Sequence, residues 1–265
     1  MTDWVDWNSF TQVVFVIELL IAGYCLYRLV KPFLRSVKGA LATGGLYFLT
    51  MLVLYVMPLY YNMFIAYALG SFVAFVVMCG MERKNYIQKF FLAVTYFSLR
   101  WFTATMAELL YDKLYYLVSN TMWYQENPTK FMQFMVYAYV CAFRLAMVLV
   151  ITTVAICCIT KSYICKHELM TKRELIMLVL PPFLGAVGYE IIQYYRNFYM
   201  AENGKPPEVY DMLLLFYCAG AVMVVVILIM LYQNIKATQK EKLANQLLFT
   251  QIDNLKRHIG QVENL

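Results

Sequence analysis

Charge is scarce in this chain. Only 14% of its 265 residues are charged, where soluble domains carry about 25%. That shortage argues against an ordinary water-soluble globular domain. Histidine is scarcer still: His167 and His258 are the two present, and they form no His/Glu metal motif. No CxxC occurs. The seven cysteines, Cys25, Cys79, Cys141, Cys157, Cys158, Cys165 and Cys218, all sit in or beside apolar runs. An odd count without paired loop cysteines argues against a disulfide framework, and small buried apolar residues is the reading they support. Cys165 and His167 offer two ligands, too few for a metal. There is no phosphate-binding glycine loop and no nucleophile elbow. The chain as it stands carries no recognisable catalytic site, so neither an enzyme activity nor a cofactor is expected of it. The N-terminus, MTDWVDWNSF, has no basic region and contains Asp3 and Asp6, which argues against a secretory signal peptide.

Apolar residues are abundant instead. They make up 62% of the chain, and aromatics alone reach 17%. An integral membrane protein is expected, all-α and polytopic, because a segment spanning lipid must satisfy its backbone internally. Seven apolar runs are long enough to cross as helices: roughly 8–30, 40–58, 62–81, 88–110, 131–159, 174–194 and 211–232. The fifth is long and should tilt or extend beyond the bilayer.

The basic residues orient these spans. Arg28, Lys31, Arg35 and Lys38 lie at and after the end of span one; Arg83, Lys84 and Lys89 follow span three; Lys161, Lys166, Lys172 and Arg173 follow span five. Lys236, Lys240, Lys242, Lys256 and Arg257 lie in the tail. The opposite side has only Lys113, Lys130, Arg196 and Lys205. The excess of lysine and arginine marks the cytoplasmic side, so the N-terminus is expected outside and the tail inside. The net charge of +6 largely reflects this bias and is no argument for nucleic acid. Trp4, Trp7 and Trp123, with Tyr60, Tyr61, Tyr194, Tyr195 and Tyr199, fall at the predicted outer edge as an aromatic belt. Residues 111–130 are amphipathic and are expected to lie along the interface. Residues 195–210 form the other long outer connection, a turn-rich loop containing AENGKPPE.

Four ionisable residues fall well inside spans: Glu18, Arg100, Arg144 and Glu190. Each costs about 2.5–3.5 kcal/mol at a helix centre unless partnered. Glu18 with Arg100 or Arg144 is one pairing, and Glu190 with Arg144 another. Such pairs fix helix register, form a ligand or switch site, or line an ion path. Glu108 and Asp112, one turn apart, read as a solvated face. Pro181 and Pro182 remove successive backbone donors in span six and should break it near its middle, as a static bend or a hinge. Ala66, Gly70 and Ala74 make a small-residue stripe for close helix packing.

From Gln233 the composition turns polar, and the last span is expected to continue as a cytoplasmic helix. Leu248, Ile252, Leu255, Ile259 and Val262 follow the four-three spacing of a coiled-coil seam, with Asn245 one heptad before Ile252 at an a position. Residues 233–265 therefore read as a dimerisation helix, about three heptads long. His258 falls at a g position beside the seam, as a solvated residue.

Several spans followed by EKLANQLLFTQIDNLKRHIGQVENL resemble the front half of a sensor histidine kinase. The group is the Agr-like, GHKL-type quorum-sensing kinases of Gram-positive bacteria. FFLAVTYFSLRWFTATMAELL and MTKRELIMLVLPPFLGAVGYEII are similar to its sensor regions. The resemblance implies a homodimeric receptor for an external ligand, a small peptide or small molecule. It also implies a response regulator reached only through a kinase part. In that family the helix leads into a phosphorylated histidine followed by aspartate, then an ATP-binding domain. Neither is found here: His258 is followed by Ile259, so the family role does not pass to it. The expectation is a sensor module without its catalytic output. A transporter or channel is a second reading, although no paired internal repeat accompanies the proline-broken span. A non-enzymatic regulatory subunit is a third.

Overall fold

A computed structural model describes residues 7–57, 63–121, 129–163, 170–204 and 208–263. Seven helices account for nearly all of them: α1 (Trp7–Val30), α2 (Val37–Val56), α3 (Met63–Met81), α4 (Tyr86–Ser119), α5 (Lys130–Ser162), α6 (Lys172–Asn203) and α7 (Glu208–Glu263). No strand occurs among the described residues. Six of the helices are long and apolar enough to cross a membrane. The exception is α4, where Gln88, Lys89, Thr95, Ser98, Arg100 and Thr103 are all buried. Helix α4 packs against α1, α3, α5, α6 and α7. Its polar groups therefore face other helices, and its composition falls short of a lipid-exposed span for that reason.

Residues 111–119 of the segment expected along the interface belong to helix α4. Helix α4 continues through Ser119, because no glycine or proline follows Tyr86 to stop it. Residues 122–128 of that segment lie outside the described residues. The proline pair expected to break span six does not interrupt its helix. Helix α6 runs through Pro181 and Pro182 without interruption and extends to Asn203, nine residues beyond the span read from composition. Two adjacent prolines remove only two donors, and the turns on either side keep theirs. At its start Thr171 and Glu174 form a reciprocal cap: the Glu174 N–H donates to Thr171 Oγ1 at 3.3 Å and the Thr171 N–H to Glu174 Oε2 at 3.2 Å.

Small residues set the closest helix crossings. Ala66, Gly70 and Ala74 are buried on α3, and a Cβ on Gly70 would stand 2.7 Å from Met51 Sδ of α2. The closest approach of α1 to α2 uses glycines that composition does not single out. A Cβ on Gly44 would lie 2.6 Å from the Gly23 carbonyl, and one on Gly23 would lie 2.9 Å from the Gly44 carbonyl. Aromatics fill the layer between these crossings. Trp101 meets Phe64, Tyr67 and Tyr189 edge to face at 5.3–6.0 Å, a geometry favoured by the ring quadrupole. Of the predicted aromatic belt, Tyr194, Tyr195 and Tyr199 are exposed on α6 and Trp7 on α1. Trp4, Tyr60, Tyr61 and Trp123 lie outside the described residues.

Candidate functional site: a carboxylate between two arginines

Helix α1 is apolar along its middle except for Glu18, and the bundle is assembled around that exception. Arg100 of α4 donates through Nη2 to Glu18 Oε1 at 2.5 Å. Arg144 of α5 reaches Glu18 Oε2 through Nη2 at 3.1 Å. One carboxylate thus bridges three helices. Glu18 and Arg100 are almost fully buried, at 2% and 1% exposure, whereas the Arg144 side chain keeps 25%. The sequence expectation offered Arg100 and Arg144 as alternative partners of Glu18; the structure uses both.

Rings close the site. The Arg100 guanidinium lies 5.1 Å from the Tyr67 ring centroid, and the Arg144 guanidinium 5.9 Å from that of Tyr111. Such contacts offset part of the cost of burying a cation. Tyr47 and Tyr96 meet edge to face at 5.3 Å, and the Tyr96 hydroxyl donates to the Ala22 carbonyl at 2.5 Å, tying α4 to α1 one turn from Glu18. Thr152 of α5 donates to Thr103 of α4 at 3.4 Å. Arg100 Nε and Nη1, Arg144 Nε and the Tyr47 hydroxyl find no hydrogen-bond partner among the described residues. Two guanidinia share one carboxylate, so the core holds more donors than acceptors. Buried polar groups left unmatched cost free energy, which makes this cluster sensitive to any helix movement.

Glu190, the other acid placed inside a span, does not join Arg144. It is exposed on α6 and lines a groove of about 910 Å³ between α3, α4 and α6. Pro182 lines the same groove. The Glu190–Arg144 pairing is therefore corrected. Arg144 projects from α5, whose main contacts are with α1, α4 and α7. Glu108 and Asp112 are exposed, as their spacing suggested.

A second set of polar ties joins α6 to α7, and sequence reasoning missed it. Near the predicted outer end Arg196 Nε donates to Asp211 Oδ1 at 2.8 Å. Midway, the Tyr217 hydroxyl donates to the Gly185 carbonyl at 2.9 Å, and Gly188 leaves the room that the Tyr217 ring occupies. At the opposite end Lys236 Nζ donates to Glu174 Oε1 at 3.1 Å. Burial pushes the neighbouring Tyr163 phenol up to about 12, with the Glu174 carboxylate adding to the effect, so it stays protonated at physiological pH. The T-x-x-E spacing from Thr171 is a readable helix-start signal that pointed to Glu174; its partner Lys236, 62 residues away, had none.

Beyond Gln233, which is buried, α7 leaves the bundle. From Thr238 to Lys256 every residue is exposed. Asn245, Leu248, Ile252 and Leu255 sit on this arm; Ile259 and Val262 continue the helix, and their side chains, like that of His258, lie outside the described residues. Cys165 and His167 lie outside them too.

No protein-family model matches the chain, and no curated protein or solved structure shows significant similarity to it.

Proposed function

We propose that this chain is the membrane sensor of a two-component histidine kinase, relaying an external signal, a peptide or small molecule, to a paired cytoplasmic helix. The observation that carries the proposal is helix α7. It is one unbroken helix of 56 residues, about 84 Å at 1.5 Å per residue. Its first half packs in the bundle and its second half stands free, with Leu248, Ile252 and Leu255 at seam spacing. Such an arm suits a receptor that passes a signal to a cytoplasmic partner, and transport does not call for it.

In this reading all seven helices span, α4 included, because its polar side chains are sheltered by its neighbours. The N-terminus lies outside and the tail in the cytoplasm. Ligand bound at the outer face stabilises one packing of the helices over another, and it can shift the equilibrium only by its difference in affinity for the two. Glu18, Arg100 and Arg144 give each packing a defined pairing. The three ties along α6 and α7 make those helices move together, so a displacement of α6 reaches the tail. Paired tails then rotate or shift register. The transporter reading gains little from the cluster, since both Glu18 oxygens are held by guanidinia.

The direct test is the reading frame beyond Leu265. Continuation into a His-Asp segment and an ATP-binding domain is the expected result. A stop codon in an intact gene would overturn the kinase assignment and favour the non-enzymatic regulatory subunit.

A further inference from the structure

The turns that join α1 to α2 and α3 to α4 meet at one end of the bundle and enclose a pocket of about 460 Å³. Phe33, Leu34 and Leu92 supply its apolar lining, and Arg35, Lys84 and Lys89 its basic lining. A second cavity of about 350 Å³ shares Arg35 and Lys84 and reaches Ser36 and Gly39, the first turn of α2. The one acid in the lining is Glu82, whose carboxylate stands 3.9 Å from Arg35 Nε, beyond hydrogen-bond reach. Three cations against one carboxylate leave the pocket with an excess of two positive charges.

Lys89 makes the pocket more than a basic surface. It is 3% exposed, and a buried ammonium is costly without acceptors. Its Nζ donates to the Glu82 carbonyl and lies 5.7 Å from the Tyr86 ring centroid, whereas an ammonium has three protons to give. Asn85, the single non-glycine residue with positive φ among those described, at 58°, turns the chain so that Lys84 and Lys89 face the same space. A general charge bias at the membrane edge accounts for exposed lysines such as Lys161 and Lys172. It does not account for a buried one.

We propose that this pocket binds the phosphate of an anionic phospholipid headgroup. Arg35, Lys84 and Lys89 surround the phosphate, and Phe33, Leu34 and Leu92 lie against the glycerol and the first methylenes. Basic pockets between spanning helices are suited to such headgroups. The apolar wall favours a lipid over a free anion, because it continues into helices α1 and α4. The site stands whether or not the tail signals.

The experiment is native mass spectrometry of the full chain released from mixed micelles holding equal phosphatidylglycerol and phosphatidylcholine. Wild type should retain phosphatidylglycerol at least tenfold over phosphatidylcholine. The double variant Arg35→Gln/Lys84→Gln should lose that preference, while Lys161→Gln/Lys172→Gln, with the same charge removed elsewhere, keeps it. Equal loss in both doubles would overturn the pocket in favour of overall charge. Displacement of the lipid by millimolar inorganic phosphate would overturn the lipid assignment. A photoreactive phosphatidylglycerol on the wild-type chain covers the case of a double variant that misfolds: crosslinks should map to Leu34 and Leu92, and labelling elsewhere would overturn the site.

Discussion

Glu18 of α1 is tied to Arg100 of α4 and Arg144 of α5. It is buried at 2% exposure between two arginines, so its charge cannot be removed without stranding theirs. Glu18→Gln should destabilise the purified protein by about 3–5 kcal/mol, the usual cost of breaking a buried pair. The triple change Glu18→Leu, Arg100→Met, Arg144→Met removes the stranded charges and should recover most of that loss. Thermal unfolding in detergent reads both. A Glu18→Gln protein melting with the wild type would show that the pairing contributes nothing. Under the sensor reading, the triple variant folds but no longer responds to ligand, because its packings have lost the pairing that distinguishes them.

At the scale of the element, α7 makes the sharpest commitment. Its arm exposes Leu248 at 57% and Leu255 at 61%, and apolar side chains at seam spacing gain from burial against a second helix. In a cysteine-free background, Leu248→Cys and Leu255→Cys should crosslink between chains under mild oxidation in membranes. Thr250→Cys, on the opposite face, should not. Equal crosslinking at all three positions would remove the coiled coil. Much at this scale was legible beforehand. Apolar length located all seven helices to within a few residues at most ends, and the last was expected to continue as a polar helix. What composition misjudged was termination: α4 and α6 run nine residues past the apolar stretch, since no glycine or proline stands there to stop them.

For the whole molecule, the test is sidedness. An impermeant maleimide should label Thr121→Cys in intact cells, and Lys38→Cys and Thr250→Cys only after lysis. The reverse pattern would invert the assignment made from sixteen basic residues on one side and four on the other.

The sequence by itself determined the class of this protein: a scarcity of charge and a succession of apolar runs leave a membrane helix bundle as the one economical solution. It also marked Glu18, Arg100 and Arg144 as residues that must find partners, because each is costly in lipid. Only the tertiary structure decided that all three form one cluster, and that Glu190 stays outside it. Pairing depends on which helix faces which, and on rotation about each helix axis, and neither is encoded in local composition. The ties of Arg196 to Asp211 and of Glu174 to Lys236 were hidden for the same reason: these side chains are ordinary at their own positions, and become a clamp only when α6 and α7 lie side by side.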